Sequence, residues 1–128
     1  MRLSAAGLAT VIVLAACREA PKPPVASFDP GPPPPTLAAG DSLYRAHCAS
    51  CHGNLGMGTD VGPPLVHVIY EPGHHADAAF IRAVQLGVKA HHWRFGDMPP
   101  MPVLNPPDVL QITAYVRWLQ QQAGIIRP

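Results

Sequence analysis

This sequence carries little charge. Asp, Glu, Lys and Arg make up only 13% of its 128 residues, and the formal net charge is +1. It has no basic or acidic field, so we predict no nucleic-acid partner. Three cysteines are too few for a disulfide scaffold. Apolar residues still reach 48%, which is enough for a folded core and excludes wholesale disorder.

The apolar stretch at the N-terminus is too short to span a membrane. The uncharged stretch Leu3–Ala16 has 14 residues, whereas a spanning helix needs about 20. This length suits the apolar region of a secretory signal. It ends at Leu14-Ala15-Ala16-Cys17, which resembles the bacterial lipoprotein box, in which the cysteine is lipidated and becomes the mature N-terminus. We therefore predict a signal peptide at residues 1–16 and a lipid on Cys17; the alternative is an ordinary signal peptide with an incidental cysteine.

Proline is abundant and concentrated in one segment. Eight of the 17 prolines lie within residues 21–35. Because proline lacks an amide donor and fixes φ, residues 18–36 cannot form a helix or an inner strand. We predict that residues 17–36 are a lipidated, semi-rigid tether and that residues 37–128 are the folded domain. A docking motif for a proline-binding groove is the alternative interpretation.

The clearest chemical motif is Cys48-Ala49-Ser50-Cys51-His52. Two thiols at this spacing can add across the two vinyl groups of one haem, and the adjacent histidine can supply an axial nitrogen to the iron. A thioredoxin-like redox pair would follow a strand, and no strand pattern precedes Cys48. A zinc site would need further ligands at suitable spacing, which the adjacent pairs His74-His75 and His91-His92 do not offer. The motif therefore predicts covalent haem.

Helical patterns occupy three segments, and no segment has a strand pattern. The first helix starts at Thr36 or at Gly40-Asp41 and ends at the cysteine motif. The second has Asp77 as its N-cap and Gly87 as its stop. Its apolar residues recur at helical spacing: Phe80, Ile81, Val84 and Val88.

The third helix is marked at both ends. Asn105 caps it, Pro106 and Asp108 lie in its first turn, and Gly124 closes it. One face is apolar: Val109, Ile112, Tyr115, Val116 and Leu119. The loops 53–76 and 89–105 are long for so small a domain, and a bound haem around which they wrap explains them.

Four features resemble the class I c-type cytochromes, which are small monohaem electron carriers. They occur in the family's order between Leu37 and Gln122: Gly40-x-x-Leu43-Tyr44, the haem motif with Gly53, Gly62-Pro63-Pro64-Leu65, and Met98-Pro99-Pro100 before the last helix. The resemblance implies an all-α fold of about three helices, with long loops wrapped around one covalent haem c. It also implies that Gly40 permits a close approach of the first and last helices and that Tyr44 packs in their contact.

The resemblance further implies His52 and Met98 as the axial ligands of the iron. The Pro63 carbonyl is implied to accept a hydrogen bond from His52, which orients the imidazole. Met98 fits the family spacing better than Met101, because Leu104 and then the cap of the last helix follow it six and seven positions later. Met101 remains the second candidate.

Other polar residues have weaker assignments. Trp93 and Arg94 are candidate hydrogen-bond donors to the haem propionates, the alternative being a polar surface turn. A bis-histidine iron that uses His91 or His92 is a further alternative to the methionine ligand. The remaining histidines are expected at the surface: His47, His67, His74 and His75.

The predicted function is one-electron transfer by a haem iron that cycles between Fe(II) and Fe(III). We expect redox proteins as donor and acceptor, and no catalytic acid, base or nucleophile is implied. The domain from Leu37 onward has six basic and six acidic side chains, so strong electrostatic steering is not expected. We predict a monomer anchored on the periplasmic side of a bacterial membrane. The alternatives are the cytochrome subunit of a larger oxidoreductase, and a haem enzyme or gas-binding module with an open axial position.

Replacing Cys17 by Ser tests the lipid anchor. We expect detergent, but not high salt, to release the wild-type protein from membranes, because several acyl chains anchor a protein stably whereas one chain anchors it marginally. Cys17→Ser should accumulate as an unlipidated precursor. Mass spectrometry that found a free Cys17 thiol in the wild-type protein would contradict the prediction.

Overall fold

The computed structural model of the protein describes residues 28–127, and it is helical. Its four helices are α1 (Ala38–His47), α2 (Ala49–His52), α3 (Asp77–Leu86) and α4 (Pro106–Gln122). Within these residues, β pairing is limited to one bridge between Val88 and Met98. The all-α class is therefore confirmed, with three longer helices and the single turn α2. The predicted signal peptide, Cys17 and most of the tether lie outside the described residues.

Helix α4 forms as its sequence predicts. The Asn105 side chain accepts a hydrogen bond from the Asp108 amide at 3.0 Å, and the Asp108 carboxylate accepts one from the Asn105 amide at 3.2 Å. This capping box satisfies two amides that the helix itself leaves unpaired. The whole predicted apolar face is buried: Val109, Ile112, Tyr115, Val116 and Leu119.

Helix α1 begins at neither of the two predicted positions. It starts at Ala38, after a 3₁₀ turn at Pro35–Leu37 in which the Leu37 amide donates to Pro34 O at 2.8 Å. Proline at the start of that turn presets φ, so the chain enters the helix without a side-chain cap. The helix ends at Cys48, as predicted.

The predicted N-cap of α3 is wrong. Ala76 occupies the cap position and Asp77 is the first helical residue. The Asp77 carboxylate instead accepts a hydrogen bond from Nε of Arg117 on α4 at 2.9 Å. Its side chain therefore pairs with a distant residue and does not cap the helix. Gly87 does end the helix, with φ of 75°. Val88 lies beyond the helix and belongs to the bridge with Met98.

Helices α1 and α4 cross in close contact at Gly40. A Cβ atom at this position would lie 2.2 Å from the Gln111 carbonyl oxygen, so only glycine fits. Tyr44 is fully buried one turn further on, and its ring centroid lies 5.4 Å from that of Tyr115. The close approach and the packed aromatic implied by the family resemblance are therefore both present.

The long loop after the cysteine motif is held by polar side chains of α4. The buried Gln120 amide donates to Leu65 O at 2.8 Å and to Tyr70 O at 3.1 Å. Arg117 also donates to backbone carbonyls of this loop, those of Tyr70 and His75. These bonds satisfy carbonyl groups that a loop without regular structure would otherwise leave unpaired.

No helix within residues 28–127 has both the length and the apolar character that a membrane crossing requires.

Gly40→Ala tests the dependence of the fold on the helix crossing. The added methyl group meets a backbone oxygen that cannot rotate away, and such overpacking costs about 1–3 kcal/mol. The helix propensity of alanine returns up to ~1 kcal/mol, so we expect the free energy of unfolding to fall by about 1–2 kcal/mol in denaturant titrations.

The matched control is Gly73→Ala. A Cβ atom there would meet only Glu71 Oε1, at 3.7 Å, so the free energy of unfolding should change by less than about 0.5 kcal/mol. Equal effects of the two substitutions would show that the crossing is not under steric constraint.

Candidate haem site

A cavity of about 670 Å³ lies between the helices and the two long loops. This volume falls in the range of cofactor and small-molecule sites, about 300–1,000 Å³. Apolar side chains from all sides form most of its wall: Leu65, Phe80, Val84, Val88, Val109 and Ile112. A flat, apolar prosthetic group could take the place of a conventional core here.

The predicted cysteine motif lines this cavity. Cys48 ends α1 and precedes α2, so the two thiols are presented by consecutive helical segments. Cys48 is half-buried, Cys51 is exposed, and neither forms a disulfide. Burial, with Cys51 nearby, raises the pKa of Cys48 to about 11. A redox-active pair has a depressed thiol pKa, so this environment does not favour the thioredoxin-like alternative.

His52 is oriented by a backbone carbonyl. Its Nδ1 lies 2.8 Å from Pro63 O, the contact that the family resemblance implied. With Nδ1 donating to this carbonyl, Nε2 is the nitrogen left to bind a metal. Burial lowers the pKa of His52, although the hydrogen bond that His52 donates to Pro63 O opposes the shift, and the neutral form is the one that ligates.

The segment that carries Pro63 folds back onto the cysteine motif. The Gly58 amide donates to His52 O at 2.7 Å, and the Thr59 hydroxyl donates to Cys51 O at 2.6 Å. At Gly62 the chain passes so close that a Cβ atom would lie 2.6 Å from Cys51 O. The Tyr44 hydroxyl donates to Gly53 O at 2.7 Å and ties the same segment to α1.

Both candidate methionines line the cavity and are half-buried. Met98 is fixed by the bridge, in which its amide donates to Val88 O at 3.0 Å and its carbonyl accepts from the Val88 amide at 2.9 Å. The Met101 amide donates to Val84 O at 2.7 Å. The main chain thus anchors both residues at the cavity wall, and the choice of Met98 stays a prediction.

Trp93 and Arg94 have different environments. Trp93 lines the cavity, and its indole Nε1 is buried without a hydrogen-bond partner. Within residues 28–127 no acceptor has hydrogen-bond geometry with this donor, so a bound group could supply one. Arg94 is exposed and is not among the residues that line the cavity. Its predicted role at a propionate therefore gains no support from its position.

Three of the four histidines expected at the surface are half-buried. His47 and His75 line the cavity, and His67 packs edge-on against Trp93 with ring centroids 5.1 Å apart. His74 alone is exposed as expected. Sequence analysis also missed Arg82 and Tyr70 in the cavity wall. Arg82 lies three residues after Ala79 and four before Leu86, which also line the cavity, so helical spacing could have placed it on their side of α3.

The residues present fit a covalent haem. The cavity is apolar, two thiols and a metal-ready imidazole lie in its wall, and two thioethers are available for the other axial position. The unpaired Trp93 donor suits an anionic group such as a propionate. Together these features define a c-type haem site.

The chain belongs to the cytochrome c family, whose profile matches residues 37–120, more than half of its length. It is therefore a haem-binding electron-transfer cytochrome, of a family that attaches haem c covalently and whose members generally carry electrons. No curated protein and no solved structure matches the chain.

Two substitutions distinguish the candidate methionine ligands. We expect Met98→Ala to abolish the weak near-infrared charge-transfer band of Met–iron ligation and to let the reduced protein bind carbon monoxide. Met101→Leu keeps a similar volume and should leave both properties unchanged. Absorption spectra of the two haem-loaded variants provide the measurement, and the reverse pattern would identify Met101 as the ligand.

Proposed function

We propose that this protein is a membrane-tethered monohaem cytochrome that carries single electrons between redox proteins on the periplasmic side of a bacterial membrane. The observation that carries the proposal is the shared cavity of Cys48, Cys51, His52 and Met98, with His52 held by the Pro63 carbonyl. The bound haem supplies one-electron chemistry at its iron.

The chain's own residues attach and orient the cofactor. Cys48 and Cys51 would hold the haem through thioether links, and His52 and Met98 would bind its iron. Trp93 would donate to a propionate through Nε1, which has no partner among the described residues. A histidine and a methionine together favour a high reduction potential among haem proteins.

Rigid support of both axial residues suits electron transfer. His52 is fixed through Nδ1, and the segment bearing Pro63 is bonded to the cysteine motif at Cys51 and His52. Met98 is fixed by two backbone hydrogen bonds to Val88. Side chains held in this way would move little when a bound iron changed charge, which would keep the reorganisation of electron transfer small.

We propose that redox partners dock on an apolar rim of the cavity. Leu86 and Phe95 line the cavity and remain exposed, at 73% and 39% of their full surface. Equal numbers of basic and acidic side chains from Leu37 onward give no strong field. A small apolar contact supports the brief encounters that an electron carrier makes with its partners.

The haem-loaded protein tests this function directly. In a spectroelectrochemical titration we expect one reversible transition with a slope of about 59 mV per decade, as a one-electron couple requires. The reduced wild-type protein should not bind carbon monoxide, because both axial positions are filled. Rapid carbon monoxide binding would contradict the carrier and favour a haem enzyme or a gas-binding module. If the titration supports a carrier, co-purification from native membranes would identify the electron donor and acceptor.

A further inference from the structure

Four of the seven histidines of the chain meet at one place beside the cavity. We call His74, His75, His91 and His92 the histidine cluster. The first pair belongs to the loop after the cysteine motif and the second to the loop between Val88 and Met98. The ring centroids of His74 and His92 lie 5.0 Å apart, and those of His75 and His92 lie 5.3 Å apart. In the sequence each pair alone offers no metal site, but the fold brings His92 of the second pair against both histidines of the first.

The nitrogen positions suit a common ligand. His74 Nε2 lies 3.2 Å from His92 Nε2, and one ligand atom from each of His74, His75 and His92 falls within 4.8 Å of the others. Two nitrogens bound tetrahedrally to zinc at about 2.0–2.1 Å lie about 3.3 Å apart. The His74 and His92 nitrogens already have this spacing, and the His75 nitrogen, within 4.8 Å of both, would move toward them on binding.

His75 is set up as a metal ligand by its surroundings. Its Nδ1 donates to Ile69 O at 2.7 Å, which leaves Nε2 as the free nitrogen. Ligating histidines usually donate their other ring nitrogen to a carbonyl or carboxylate in this way. The backbone is also held, because the His75 amide donates to Glu71 O at 2.8 Å and Arg117 donates to the His75 carbonyl.

The three residues whose ligand atoms are close enough to share an ion are all histidines, with no thiol or carboxylate among them. Imidazole suits zinc, copper and nickel rather than calcium or magnesium.

We propose that His74, His75 and His92 bind one divalent ion of the zinc and copper class, at a second metal site that is separate from the haem iron. The three nitrogens leave a further coordination position, which water can fill. The ion joins the two loops that flank the cavity and so stabilises the wall that carries Trp93. The site goes beyond electron transfer and does not depend on which methionine binds the haem iron.

Zinc is the probe, because it has no redox chemistry that would interfere with the haem. The test uses the haem-loaded full-length protein, in which thioether bonds occupy Cys48 and Cys51. We expect calorimetric titration with zinc chloride to show one saturable site. X-ray absorption at the zinc edge should show nitrogen ligands at about 2.0–2.1 Å and no sulfur, which excludes binding at Cys17. Absence of saturable binding, or a sulfur shell, would overturn the proposal.

Two variants and one control assign the ligands. His74→Gln removes an exposed ligand and His92→Gln removes its partner, and each should weaken zinc binding at least about tenfold. His47→Gln removes a histidine outside the cluster and should leave the affinity unchanged. If neither cluster variant weakens binding, the ion binds elsewhere and the proposal fails. The haem absorption spectrum, recorded on the same samples, reports the proposed electron-transfer centre separately, so the failure of one proposal can be told from the failure of the other.

Discussion

The contact of α1 with α4 at Gly40 is the constraint on which the rest of the structure depends. Because the cysteine motif continues directly from the end of α1, the position of this crossing also sets the position of the haem attachment relative to α4. Helix α4 in turn holds the following loop through Gln120 and Arg117. One helix pair therefore positions both the haem attachment point and the wall of the cavity.

Sequence analysis predicted the features that depend on local chemistry. The N-cap of α4 and the stop at Gly87 follow from residue types with strong local preferences. The glycine contact at Gly40 was implied by the family resemblance and is present in the structure. The N-cap of α3 was wrong because Asp77 has a partner 40 residues away, and side-chain pairing over that distance leaves no periodic signal. The start of α1 was missed because a proline-led 3₁₀ turn, not a capping side chain, begins it.

The residues of the site also differ in how far the sequence could predict them. The cysteine motif could be assigned because haem attachment needs fixed spacing, and Pro63 was implied by the family resemblance; the structure brings both to one cavity. The histidines could not be assigned, since nothing in the sequence shows that two adjacent pairs from different loops meet. Trp93 and Arg94 are neighbours in sequence, yet only Trp93 lines the cavity. Which of two consecutive side chains turns inward depends on tertiary packing that local patterns do not encode.

The bridge between Val88 and Met98 separates the position of Met98 from the loop that precedes it. Its paired hydrogen bonds fix the two ends of the segment 89–97, so the main-chain position of Met98 does not depend on the side chains of His91 and His92. Trp93 and Phe95 of the same segment line the cavity, so they are tied to the haem site. Substitution of His92 alone would therefore remove the proposed metal site and leave the bridge at Met98 in place. One short loop can in this way serve a metal site and a haem site whose key residues change separately.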